Sequence, residues 1–299
     1  MNKIKYLWMA ILGLTAAVSS CSHDEALPDA EDNANIVEDL NILHPSRLNA
    51  EGTAEGFAEN AKVGLFMTES LSPLQVSGNY MNNELLTKKG NQWASSRTLN
   101  WGQGNYTIYA YYPYCKDIPS VDNMPFSVSL NQNSPASASQ LGGYEASDFL
   151  WATKKNVAAS NEKVNLQFSH RMSKIMVELV KGPDYSGEIP ADAEVYIHNT
   201  VTDAVIDMSA GVVARNKYAT AKTLRAKNLG NNKHAAIIVP QRIDNRQPLV
   251  EVIMKGVSYL YETRFIFKPG MQHNVKLTIS DNPEKVKIEI GGEAENWGE

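Results

Sequence analysis

Val164-Asn165-Leu166-Gln167-Phe168-Ser169-His170-Arg171-Met172-Ser173-Lys174-Ile175-Met176-Val177-Glu178-Leu179 is the stretch that decides the fold class. Apolar side chains fall on every second residue, the period of a strand with one face against a core. The parity switches along the way. Val164, Leu166 and Phe168 are even and Ile175, Val177 and Leu179 are odd, so a bulge or bend around His170 to Ser173 is expected to restore the apolar face. Outward from this stretch, strands read at Tyr106–Tyr112, Glu194–His198, Tyr259–Phe267, Val275–Ile279 and Val286–Ile290. Turn-rich segments lie between them, at 131–143 and 228–233. No long window has helical periodicity. Many short strands between polar turns predict an all-β chain built of antiparallel β-sandwiches. Gly182-Pro183, Gly187 and Pro190 punctuate Lys181–Pro190, which predicts a boundary there and two sandwiches, 48–182 and 183–299.

The first twenty residues read differently. Lys3 and Lys5 make a positive start, and Tyr6 to Ser20 is an uncharged apolar run too short to span a bilayer, which is the pattern of a secretion signal over residues 1–20. Val18, Ser19 and Ser20 before Cys21 match the small-residue site at which bacterial lipoproteins are cut and acylated. Cys21 is therefore the expected lipidation site, and each acyl methylene buried in a bilayer contributes about 0.8 kcal/mol. The alternative is an ordinary signal cut nearby. With Cys21 acylated, Cys115 is left without a disulfide partner, so stability has to come from a large core. Residues 21–47 form an acidic tether: Asp24, Glu25, Asp29, Glu31, Asp32, Glu38 and Asp39 precede Arg47, the first basic residue after the signal. Those seven acids against Lys3 and Lys5 of the signal account for the formal net charge of −5. The rest of the chain balances acids and bases and lacks the basic footprint that nucleic-acid binding requires.

Motifs for chemistry are sparse. The six histidines, His23, His44, His170, His198, His234 and His273, show no HExxH spacing, and no CxxC accompanies them, so no metal site is expected. Neither GxSxG nor a phosphate-binding glycine loop occurs, and Gly102-Gln103-Gly104 reads as a turn before the strand at Tyr106. No catalytic residue, cofactor or metal follows from the sequence. A carboxylate pair for hydrolysis depends on spatial, not sequential, spacing and stays open. Trp93, Trp101, Tyr106, Tyr109, Tyr111, Tyr112 and Tyr114 crowd one region; they are either a core or a platform for sugar stacking, and strand propensity favours the core.

Several segments in order resemble the fimbrillin family of Bacteroides-type bacteria, the Mfa-like and FimA-like subunits of type V pili. They are Tyr109-Ala110-Tyr111-Tyr112-Pro113-Tyr114, Asp148-Phe149-Leu150-Trp151-Ala152, the stretch from Val164 to Ile175, Ile238-Val239-Pro240-Gln241 and Pro269-Gly270-Met271-Gln272-His273-Asn274-Val275. Ser22-His23-Asp24-Glu25 also resembles the acidic signal that sends lipoproteins of that group to the outer face of the cell. The resemblance implies two transthyretin-like β-sandwich domains and a non-enzymatic pilus subunit of the outer membrane, cell surface and fimbrium. Its partners would be other pilus subunits, a trypsin-like maturation protease, the outer membrane through the lipid on Cys21, and a surface receptor or glycan. The alternative is a lipid-anchored glycan-binding protein that does not polymerise.

In that family a protease cuts near the start of the first domain, the N-terminal strand leaves, and a strand of another subunit fills the groove. Here Ile36, Leu40 and Ile42 share one parity before Leu43-His44-Pro45-Ser46-Arg47-Leu48, so cleavage is expected between Arg47 and Leu48. Arg47 as an ordinary surface residue is the plain alternative. At the other end, Val286, Ile288 and Ile290 alternate with Lys285, Lys287 and Glu289, which makes 285–291 a candidate donor strand or simply the last strand of the second sandwich. Gly291-Gly292 and the tail to Glu299, with Trp297, read as a flexible tail or a further pairing segment.

Overall fold

The computed structural model describes residues 56–100, 102–158, 164–285 and 287–297, and the backbone of two short strands before them. In the first half the strands are β1 (Asn35–Ile36), β2 (Leu40–Leu43), β3 (Lys62–Glu69), β4 (Met81–Lys89), β5 (Gln92–Ser95), β6 (Asn105–Tyr112), β7 (Met124–Ser127), β8 (Leu150–Ala158), β9 (Val164–Gln167) and β10 (Ser169–His170). The second half contributes β11 (Ser173–Lys181), β12 (Glu194–Val201), β13 (Asp203–Asp207), β14 (Val212–Arg215), β15 (Ala221–Arg225) and β16 (Lys227–Gly230). It ends with β17 (Lys233–Ile238), β18 (Gln241–Met254), β19 (Val257–Phe267), β20 (Met271–Ile279) and β21 (Lys287–Asn296). The helical content described is one turn at Gly143–Ala146 and a 3₁₀ turn at Pro283–Lys285. No described helix is long and apolar enough to cross a membrane.

A seven-stranded sheet in the order β1-β5-β4-β3-β6-β8-β10 faces the pair β2-β9. Between them lie Val63, Leu65, Met67, Leu86, Ile108, Ala110, Leu150, Leu166 and Phe168, the first core. In the second half, the five-stranded sheet β16-β17-β11-β20-β21 and the four-stranded sheet β15-β12-β18-β19 enclose the second core, with Ile175, Val177, Leu179, Val195, Ile197, Val250, Val252, Val275 and Leu277. Pairing is antiparallel except at β2–β9 and β11–β20. Parallel neighbours need a long crossover, which the intervening strands supply between β11 and β20.

The seven-stranded sheet is covered on both faces. Phe66, Tyr109, Tyr111, Phe149 and Trp151 point away from the first core and join the second. That explains why β3 (Lys-Val-Gly-Leu-Phe-Met-Thr-Glu) and β6 (Asn-Tyr-Thr-Ile-Tyr-Ala-Tyr-Tyr) do not alternate, because a strand buried on both faces reads as a continuous apolar run. The phenol of Tyr111 lies directly over Gly64, its partner across the β3–β6 ladder. A Cβ on Gly64 would stand 2.1 Å from Tyr111 Cε1. The ring cannot yield easily, because its hydroxyl donates to Asn83 Oδ1 at 2.7 Å and accepts from the Cys115 N–H at 3.1 Å. Gly64→Ala is therefore expected to lower stability by about 1–3 kcal/mol through overpacking, read as a shift of the urea midpoint without a change in slope.

One expectation changes. The parity switch at His170–Ser173 is no bulge: β10 pairs with β8 in the first sheet, whereas β11 pairs with β17 and β20, so the chain crosses between sandwiches at Arg171–Met172. Sheet membership thus changes between β10 and β11. The Gly- and Pro-rich stretch after Lys181 is a connection within the second sandwich, pinned by the Gly182 N–H to Ile279 O bond of 2.8 Å. The halves are also interleaved, since β7 forms a three-stranded sheet with β13 and β14. Strands fall where the alternation placed them at β6, β12, β19 and β20, and the stretch at 228–233 holds the end of β16, a tight turn at Asn231–Asn232 and the start of β17.

Candidate strand-exchange site

The first core is closed on one side by the β2–β9 pair alone among the described strands. β9 supplies Val164 and Leu166, both buried, while Asn165 and Gln167 face outward. β2 runs parallel to it, with Leu40 opposite Val164, Asn41 opposite Asn165, Ile42 opposite Leu166 and Leu43 opposite Gln167. The register puts the same parity of β2 beside the buried residues of β9. β1 pairs antiparallel with β5, Asn35 opposite Ser95 and Ile36 opposite Ala94, and so forms the outer strand of the seven-stranded sheet. Both strands precede Arg47 in the chain. Arg47 and Leu48 lie outside the described residues, as does Cys21.

Beneath β9 an aromatic cluster fills the core. Phe57 makes edge-on contacts with Trp93, Tyr112 and Phe168, each at a centroid distance of 5.4 Å. Such contacts add about 0.5–1.5 kcal/mol each beyond area burial. Burial pushes the Tyr112 phenol well above its ordinary pKa. Of the crowded aromatics, Trp93, Tyr106, Tyr109, Tyr111, Tyr112 and Tyr114 are all buried, so they serve as core; Trp101 lies outside the described residues. A concavity of about 450 Å³ at the loop end of the first sheet is lined by Glu69, Ser70, Leu71, Ser72, Asn105 and Asn156, with no aromatic ring. No group of three or more His, Cys, Asp or Glu is placed to hold a metal ion among the described residues.

The C-terminal candidate lies elsewhere. β21 is the outer strand of the five-stranded sheet, antiparallel to β20, with Ile288 opposite Leu277 and Ile290 opposite Val275. Ile288 is half-buried and packs on the second core. Val286 lies outside the described residues. Leaving this sheet would cost β21 its ladder to β20 and that packing, so the strand is at home in its own domain. The structure thus brings the N-terminal segment onto β5 and β9 and keeps the candidate donor on a separate sheet. The sequence did not single out β9 as the partner of β2, because a pairing across more than a hundred residues has no local signal.

The fimbrillin-like family model matches residues 49–297. The chain belongs to the fimbrillin-like family. Among solved structures it is similar to a candidate cell adhesion protein of Bacteroides ovatus, with a TM-score of 0.66 at 17% identity over 87% of this chain and 98% of that one. A candidate cell adhesion protein of Bacteroides uniformis gives 0.65 at 16% identity, over 89% and 99%. At these identities the likeness shows the fold. No curated protein matches the sequence. The match to this fimbrillin-like chain begins two residues after Arg47, so β1 and β2 lie outside the matched part.

Proposed function

We propose that this chain is a structural or adhesive subunit of a bacterial surface fimbrium, delivered as a lipoprotein through Cys21 and assembled by strand exchange. One observation carries the reading: the two strands that close the first sandwich, β1 and β2, both precede Arg47. Cleavage between Arg47 and Leu48 by a trypsin-like protease frees them. β9 then presents unpaired N–H and C=O groups beside Val164 and Leu166, a template that a strand of another subunit can fill. Residues 285–291, with Val286, Ile288 and Ile290, are the proposed donor. Burying three such side chains contributes roughly 1.5–3 kcal/mol each, before the cost of leaving the home sheet is deducted.

The test uses the chain without its signal, incubated with a trypsin-like protease. The expected result is release of a fragment ending at Arg47 followed by multimers that survive SDS, with Arg47→Gln blocking both. A stable monomer after complete cutting at Arg47 would overturn the assembly reading.

A further inference from the structure

At the junction of the two sandwiches Trp297 is clamped from several sides. The indole stacks flat on His170, with centroids 3.7 Å apart and planes 5° from parallel. Lys174 places Nζ 5.3 Å from the centre of the same ring. His170 is buried and held in orientation by Asp148, whose Oδ1 is 2.8 Å from Nδ1. The backbone joins in: the Trp297 N–H donates to Gly270 O at 2.8 Å, and the Gly270 N–H donates to Met172 O at 2.8 Å. Gly270 has φ +68°, and a Cβ there would stand 3.1 Å from His170 O, so the turn before β20 fits this close only as glycine. His170, Met172 and Lys174 come from the stretch that carried the family resemblance. They build the seat for a side chain from the far end of the chain.

The connections of that seat give it meaning. Trp297 directly follows β21, the outer strand held on one side by β20. Its stacking partner His170 belongs to β10 of the other sandwich, two residues beyond Phe168 of the first core and three beyond the end of β9. The end of the last strand is therefore fastened to β10, an outer strand of the seven-stranded sheet that the β2–β9 pair faces.

We propose that Trp297 is a latch that holds β21 in its own sheet by docking on His170 and Lys174 across the sandwich junction. Undocking the ring leaves β21 with its ladder to β20 and the packing of Ile288, and an outer strand paired on one side frays more readily. The docking itself stands on the contacts above; the use of a freed β21 as donor rests on the strand-exchange reading.

The experiment is amide hydrogen exchange by mass spectrometry on the uncut chain. Trp297→Ala is expected to speed exchange in Lys287–Asn296 at least about tenfold, the change that about 1.4 kcal/mol of lost stacking gives. Exchange in β12 and β18 is expected to stay as it was, and Trp297→Phe, which keeps a ring on His170, recovers most of the protection. Unchanged exchange in Lys287–Asn296 would overturn the latch. So would acceleration spread evenly over both sandwiches, which marks a general loss of stability. A second arm separates the two readings: after cutting at Arg47, Trp297→Ala assembles faster than the parent. If the exchange result holds while neither chain assembles, the latch stands and the assembly reading fails.

Discussion

Leu166→Ala should lower the unfolding free energy by about 2–5 kcal/mol, the range for truncating a fully buried leucine. Leu166 is 0% exposed and lies in the first core, directly opposite Ile42 of β2. The cost should fall at the high end. On the side of β9 the core is closed by a single pair of strands, so little neighbouring structure can collapse into the space left behind. Gln167, the next residue on the same strand, faces outward, and Gln167→Ala should change stability by no more than about 0.5 kcal/mol. Urea unfolding of the pair measures both. A Leu166→Ala effect below about 1 kcal/mol would mean that β9 does not seal this core. The same substitution should weaken the grip of β9 on β2, the strand laid beside it.

Lowering the pH from about 6.5 to 4 should remove about 3 kcal/mol of stability through His273. Burial, reinforced by the nearby Lys268 charge, pushes this imidazole down to about 4. Its ring meets Phe265 and Phe267 edge-on, at 5.2 and 6.1 Å, and Nε2 accepts the Lys268 N–H at 3.2 Å. That acceptor is lost on protonation. The unfolded chain takes up the proton near 6.5 while the folded chain resists until about 4. In that window the unfolded state binds more protons, so stability falls as pH falls. His234, also pushed down by burial against the opposing pull of its bond to Ala193 O, acts in the same direction. The Asp184 carboxyl is held below its ordinary range chiefly by the Ser280 hydroxyl at 2.6 Å, and so loses its contribution only at lower pH. His273→Gln should flatten the pH dependence of the urea midpoint between 6.5 and 4; an equally steep dependence in that variant would assign the loss to other groups.

The strands were legible in the sequence where one face is solvent and the other core, as at Val164–Phe168 and Ile175–Leu179. They were harder to place on a face where both sides are buried, as in β3 and β6, because period two vanishes when every residue is apolar. Gly182-Pro183 and Pro190 report local turn chemistry, whereas the sheet membership of β11 is settled by β20, which lies about a hundred residues on. The parity switch at His170–Ser173 was visible, but a bulge and a crossing between sandwiches leave the same local trace. The candidate site divides in the same way. Ile36, Leu40 and Ile42 share one parity and read as one strand, yet the segment divides between β1 on β5 and β2 on β9. Trp297 read as part of a tail because nothing in Gly291 to Glu299 names His170 as its seat.

The pairing of β7 with β13 also fixes a timetable. Ser127 Oγ donates to Asp203 Oδ1 at 2.7 Å across a separation of 76 residues, and Trp151 Nε1 waits for Met208 O across 57. A chain that emerges N-terminus first holds Met124, Phe126 and Trp151 ready long before their cover exists. The first sandwich cannot finish alone. Until the residues after 200 arrive, its outer face is a sticky, half-made surface, and that interval is when the chain is most exposed to aggregation.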